Sequence, residues 1–272
     1  MRILVTVGIF PPDIGGPATF VPKIAKYFQD ELNYEIDILT LSDNKNLKIK
    51  DDFSVERIDR NLPIIYRWLK TIFTIYKLGG NKDLIFVNGL GTEVTIANIF
   101  LKKKIIRKIV GDPAWERAYS KAKISESFDE FQIKNYGFSI SLQKKVRSFS
   151  IKKSDIVVTP SKHLKNFILN LGFKNKIEII NNGVFIPEEN TNIFTNDQIN
   201  ITIVSRLVSH KNIEKIIKAI SDLNSPLINL NIIGDGPELN QLQKISLESN
   251  NKDNIIFHGK LNRDEIDHIF LN

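Results

Sequence analysis

The sequence predicts an α/β fold made of doubly wound parallel sheets. Short apolar strand segments alternate with helical segments along most of the 272 residues, a pattern that builds parallel sheets with helices on both faces. Glycine- and proline-bearing turns fall where a strand hands over to a helix. That is the carboxyl end of the sheet, where such folds bind ligands. The alternation is interrupted once, at the polar stretch PEENTNIFTNDQIN (187–200), and then restarts. These observations lead us to expect an N-terminal domain over 1–186, a linker over 187–199 and a partial second domain over 200–272.

The elements follow in order. Arg2–Val7 is a short buried strand, and Pro17–Leu32 a helix whose proline suits a first turn. Tyr34–Leu41 reads as a strand, 43–50 as a polar loop and Phe53–Ile58 as a weak strand. Ile65, Trp68, Leu69, Ile72, Phe73 and Tyr76 recur at three-and-four spacing, so 62–78 is a helix. Strands at 84–87, 105–110, 155–159 and 176–180, with helices at 93–101, 139–150 and 163–171, complete the first domain. In the second, strands at 200–205, 227–233 and 254–257 alternate with helices at 212–223, 238–249 and 263–271. The first of these helices carries an apolar stripe at Ile213, Ile216, Ile217 and Ile220.

Composition narrows the chemistry. Lys plus Arg number 38 against 31 Asp plus Glu, a net +7 that favours anionic partners. The absence of cysteine excludes disulfides, thiol nucleophiles and Cys-ligated metals. Four dispersed histidines without H-x-H or H-E-x-x-H spacing argue against a zinc site, so no metal is expected. No segment approaches the roughly 18 uncharged apolar residues of a membrane span. The apolar start lacks a small-residue cleavage site and reads as a buried strand, so a cytoplasmic location is expected.

Four turns are candidate sites. Pro11-Pro12-Asp13-Ile14-Gly15-Gly16-Pro17 joins the first strand to its helix, where the glycines admit a ligand to backbone and to the helix N-terminus. A plain tight turn is the simpler alternative. Ser205-Arg206-Leu207-Val208-Ser209-His210-Lys211-Asn212 places two cations between a strand and a helix N-terminus, an arrangement able to hold a diphosphate without a metal. The alternative is two solvated cations among 38. Ile233-Gly234-Asp235-Gly236-Pro237-Glu238 is a third strand-to-helix junction, open to the same plain-turn reading. In Val110-Gly111-Asp112-Pro113-Ala114-Trp115-Glu116, Asp112 is either a residue beside the substrate or a helix N-cap preceding a first-turn proline.

Taken in order, these pieces resemble glycosyltransferase family 4, the glycosyl transferases group 1. So do Val158-Thr159-Pro160-Ser161, Ile180-Asn181-Asn182-Gly183-Val184 and the run GDPAWERA with Ser127-Phe128-Asp129-Glu130-Phe131-Gln132. The resemblance runs from the first strand to Gly259. It implies the GT-B architecture of two facing Rossmann-like domains. It further implies transfer of a sugar from a nucleotide-diphosphate donor to a glycan or lipid-linked acceptor, with retention of configuration and no cofactor. By that analogy Arg206 and Lys211 hold the diphosphate and stabilise the leaving charge. Gly15 and Gly16 face the distal phosphate, Gly234, Asp235, Gly236 and Gly259 lie near the nucleoside, and Asp112 stands nearest the acceptor.

The family's Glu, seven residues, second Glu motif belongs beyond residue 272, so the resemblance implies an incomplete second domain. The alternative is therefore an inactive fragment, or a subunit that depends on a partner for donor binding. A sugar epimerase of the same architecture is the nearest enzyme rival, and scattered positive charge without a recognised motif gives no support to nucleic-acid binding. Tyr66-Arg67-Trp68-Leu69-Lys70 through Tyr76-Lys77, with Lys102–Lys104 and Lys144, Lys145, Arg147, Lys152 and Lys153, suits peripheral contact at the inner face of a membrane. The simpler expectation is that these aromatics face the core and the lysines face water.

Overall fold

The first strand organises the larger unit by residue parity. In β1 (Arg2–Val7), Ile3, Val5 and Val7 point to one face of the sheet and Leu4 to the other. In this computed structural model, which describes residues 1–43, 53–121, 123–183 and 198–271, both faces are covered by helices. On one side α1 (Gly16–Asp30) brings Val21 and Ala25 against Ile3, Val5 and Val7. On the other, Leu4 meets Ile75, Val94 and Ala97.

Along the chain follow β2 (Glu35–Ser42), β3 (Ser54–Asp59), α2 (Ile64–Gly79), β4 (Leu84–Asn88), α3 (Gly91–Leu101) and β5 (Lys104–Lys108). Next come α4 (Pro113–Ser120), α5 (Phe128–Ile133), α6 (Phe138–Lys152), β6 (Ile156–Thr159), α7 (Lys162–Asn170) and β7 (Lys176–Ile179). The seven strands form one sheet in the order β3-β2-β1-β4-β5-β6-β7, with every neighbouring pair parallel. The order reverses between β1 and β4, and crevices that bind ligands open at the carboxyl ends of such a pair. The smaller sheet, β10-β9-β8, is also parallel and consists of β8 (Ile199–Val204), β9 (Ile228–Ile233) and β10 (Ile255–Gly259). Its strands alternate with α8 (Ile213–Leu223), α9 (Leu239–Leu247) and α10 (Arg263–Leu271). The stripe read from the sequence is its core: Ile213, Ile217 and Ile220 meet Leu230, Ile232 and Leu242. Each such side chain contributes roughly 1.5–3 kcal/mol by leaving water.

The chain divides into two compact units, and the segment 115–134 groups with the C-terminal one. Residues 1–114 and 135–183 make unit 1, while 115–134 group with 198–271 in unit 2. Trp115 accounts for the exchange: its ring lies against His210 as well as Tyr119 and Phe128, all within unit 2. Of the expected linker at 187–199, only 198 and 199 are among the described residues.

Two buried cations tie unit 1 together. Lys82, 1% exposed, lies 2.7 Å from both Glu35 and Asp37. Burial alone would lower its pKa, but the two carboxylates outweigh this and hold it above its ordinary value. Arg107 donates to Ser150 Oγ at 2.7 Å, to Thr95 Oγ1 at 3.1 Å and to the Gly91 carbonyl at 3.1 Å, joining α3 to α6. Burial pushes its pKa down to about 10, opposed by Glu93. Helix α2 departs from expectation: Tyr66, Leu69, Phe73 and Tyr76 are exposed, and Thr71, Ile75 and Gly79 face inward. Small residues at the buried positions let the helix sit close to the sheet, which turns its bulky positions outward.

Candidate active site

Three strand ends of unit 2 converge through backbone contacts that only glycine permits. The Ser205 amide donates to the Ile233 carbonyl at 3.0 Å, and the Leu207 amide to the Asp235 carbonyl at 3.0 Å. The Glu238 amide returns to the Leu207 carbonyl at 3.2 Å, while the Gly234 amide donates to the Gly259 carbonyl at 2.7 Å. A Cβ at Gly234 would stand 1.8 Å from the Ser205 carbonyl oxygen, and one at Gly236 2.3 Å from that of Leu207. No side chain fits at either position. Gly234 at φ 142° and Gly259 at φ 68° also occupy backbone regions that favour glycine. Asn231 and His258 add a side-chain bond of 2.8 Å between β9 and β10. The structure therefore brings together the turn that carries Arg206 and Lys211 and the turn that carries Gly234, Asp235 and Gly236, with the Gly259 that the resemblance implied.

Arg206 and Lys211 are exposed, and neither makes an ion pair with another described residue. Elsewhere Arg60, Lys82, Arg147 and Lys218 are each matched by a carboxylate. Lys211 ends a short 3-10 turn, and Asn212 at φ 54° leads directly into α8 with no side chain capping the helix N-terminus. Two unmatched cations and uncapped amides make this corner suited to an anion.

Sequence reasoning missed two neighbours of this corner. His210 lies between the cations, with its ring centroid 6.0 Å from that of Trp115 and its Nδ1 buried without a hydrogen-bond partner among the described residues. Burial, then the charges of Lys211 and Arg206, hold its pKa below the ordinary value. The Glu238 carboxyl is held above its ordinary range by burial and then by Glu214. The contact between 115 and 210 leaves no mark on spacing, although a histidine flanked by two cations was visible as an unusual sequence.

In unit 1 the loop after β1 is held from below. Arg60 donates to Asp13 at 2.6 Å and to the carbonyls of Gly8 at 3.3 Å and Leu41 at 3.2 Å, and Arg57 to the Pro11 carbonyl at 3.2 Å. Neither arginine was singled out from the sequence. Gly15, at φ 151°, precedes α1 without a side-chain cap, and a Cβ at Gly16 would meet open space. A Cβ at Gly89 would lie 2.4 Å from the Gly8 amide, so the ends of β1 and β4 meet at the strand-order reversal.

Asp112 is placed differently from a residue that meets substrate. It is fully buried, its Oδ1 accepts from the Ala114 amide at 3.0 Å, and its Oδ2 pairs with Arg147, itself only 9% exposed. Burial lowers the Arg147 pKa and Asp112 opposes that shift. The carboxylate thus caps α4 and neutralises a buried cation, the second of the two readings its sequence context allowed. Among the described residues no group of three His, Asp or Glu is placed to hold a metal ion, and no helix is long and apolar enough to cross a membrane.

Comparison with known proteins places this geometry. Residues 186–272 match the family model described as Glycosyl transferases group 1. An uncharacterized glycosyltransferase of Methanocaldococcus jannaschii is 29% identical, over 96% of this chain and 70% of that protein. The C-terminal third of the chain thus carries the segment by which group 1 glycosyltransferases are described. The fold of the chain is shared with GT-B structures. Sucrose-phosphate synthase from Thermosynechococcus elongatus superposes with a TM-score of 0.72 at 14% identity, over 99% of this chain and 72% of that one. Anabaena Alr3699/HepE, solved in complex with UDP-glucose, gives 0.66 at 16% identity, over 96% and 70%. The segment that matches the family model contains the whole glycine-linked corner of unit 2.

Two outcomes test these placements. Asp112→Ala removes the carboxylate set against the buried Arg147 charge, and we expect urea unfolding to show a loss of about 3–5 kcal/mol. A loss below about 1 kcal/mol would show that the pair is not structural. For His210, the unfolded chain takes up a proton more readily than the folded one. Its stabilising contribution is therefore full above an unfolded value of about 6.5 and is lost as pH falls through the lower folded value. Melting temperatures of wild type and His210→Gln should diverge in pH dependence below about pH 6.5, with the wild type the steeper. Parallel curves would contradict the depressed pKa.

Proposed function

We propose that this chain transfers a sugar from a nucleotide-diphosphate donor to a glycan or lipid-linked acceptor at the cytoplasmic face of a membrane, with retention of configuration. The observation that carries this reading is the corner of unit 2, where two cations without carboxylate partners among the described residues precede the uncapped N-terminus of α8. In sugar transfer the bond from the anomeric carbon to the donor phosphate breaks, and negative charge grows on the departing diphosphate. Arg206 and Lys211 supply fixed positive charge there, and the α8 amides supply aligned dipoles. Both stabilise the leaving group more than they stabilise the intact donor.

Gly234, Asp235, Gly236 and Gly259 line the nucleoside side, where backbone left open by glycine approaches a flat ring closely. The Gly15–Gly16 turn of unit 1 is a second uncapped helix start, suited to an anion. In this reading the N-terminal part of the chain takes the acceptor and the C-terminal part the donor. Asp112 supports α4 and does not act as the base. Because Alr3699/HepE was solved with UDP-glucose, uridine donors are the first to screen.

Isothermal titration with UDP tests the reading. Arg206→Ala and Lys211→Ala each remove charge-assisted hydrogen bonds, so each should weaken binding by about 1–3 kcal/mol, roughly five- to 150-fold in Kd. Wild-type affinity in both variants would remove the pair from the donor site.

A further inference from the structure

The proposed function leaves His210 without a task, although it sits inside the cationic turn. It belongs to the 3-10 turn Ser209–Lys211, next to Lys211 and just ahead of the Asn212 that opens α8. Arg206 and Lys211 are both close enough to act on its ring electrostatically. The ring itself is braced. It meets Trp115 edge-on, with centroids 6.0 Å apart and planes at 64°. Trp115 is held in turn, because its Nε1 donates to the Glu126 carbonyl at 3.1 Å and its ring packs on Tyr119 and Phe128. All of these residues belong to unit 2.

The bracing sorts the two ring nitrogens. Nδ1 is buried and has no hydrogen-bond partner among the described residues. The nitrogens lie on different sides of an imidazole, so Nε2 is the one left to meet water or a ligand. Charging the ring would put an N–H on the buried Nδ1 with no acceptor, and a third positive charge beside Arg206 and Lys211. Burial, and then those two charges, accordingly hold its pKa below the ordinary value. A neutral ring has one N–H to place, and a phosphate oxygen only accepts. Placed on Nε2, that proton gives the corner a directed donor without adding a charge that the two cations would oppose.

We propose that His210 is a third contact to the donor diphosphate, donating from Nε2–H to a phosphate oxygen as a neutral imidazole. This rests on the donor reading of the Arg206–Lys211 turn and adds to it a residue that orients the diphosphate. Trp115 is the positioning residue that fixes the ring.

The test uses the full chain and UDP. A glutamine amide N–H reaches close to the place of Nε2, whereas asparagine reaches only that of Nδ1. In isothermal titration His210→Asn should weaken UDP binding about tenfold, as for one hydrogen bond to a charged group, and His210→Gln should stay within about threefold of wild type. The imidazole nitrogen NMR spectrum of the wild type reads the same contact without a substitution, the His210 signals being assigned by their loss in His210→Gln. In the UDP complex Nε2 should carry the proton, Nδ1 should be bare, and the Nε2 resonance should have moved from its position in the free chain. Three results would overturn the proposal and leave the donor site standing: wild-type affinity in His210→Asn, equal losses in the two variants, which would make the ring a spacer, or an Nε2 resonance that UDP does not move. Failure of the wild type to bind UDP would overturn the donor reading and this contact together.

Discussion

The glycine-linked corner of unit 2 depends on one close approach of backbone to backbone. Gly234 lies so near the Ser205 carbonyl that any side chain would overlap it, and Gly236 stands in the same relation to Leu207. These contacts let the turns after β8 and β9 exchange hydrogen bonds, and the Gly234 amide then reaches Gly259 after β10. With the turns locked, Arg206 stands next to the fully buried Leu207, and Lys211 ends the 3-10 turn that leads into α8. A strand-to-helix turn carrying cations is common. Here it is braced by its two neighbours, and that limits the reorganisation needed when charge develops on a ligand.

The charges of the molecule divide into two kinds. Lys82, Arg107, Arg147 and Arg60 are committed to carboxylates, hydroxyls or carbonyls and hold unit 1 together. Where the partner is itself buried, as Asp112 is, its removal costs stability. Arg206 and Lys211 belong to the other kind: exposed, without carboxylate partners among the described residues, and set at a helix N-terminus. Burial first, and then the charges of Lys211 and Arg206, hold the pKa of His210 below its ordinary value.

Much of this was legible in the sequence because parallel α/β folds write their strands as apolar runs and their helices as stripes. The Ile213–Ile220 stripe and the Arg2–Val7 run became core as read. The Gly234–Gly236 turn was legible as a turn, but its reason, contact with Ser205 and Leu207, is a long-range fact. Helix α5 was missed although Ser127 and Glu130 form a capping box in the structure, a signal present in the S-F-D-E run. Asp112 was ambiguous because a carboxylate before proline serves capping and catalysis alike, and only its burial against Arg147 separates the two. Helix α2 was misread because periodicity identifies an apolar stripe without saying which of two stripes faces the sheet. Thr71 and Gly79, the small residues that do, carry little hydropathy. The pairing of Trp115 with His210 could not be read at all.

A crystal structure of the protein with UDP tests the central claim most directly. The account predicts diphosphate oxygens within hydrogen-bonding distance of both Arg206 and Lys211, at the N-terminus of α8, with the uracil against the Gly234–Gly236 turn. Nucleotide bound elsewhere, with Arg206 and Lys211 still in solvent, would contradict it.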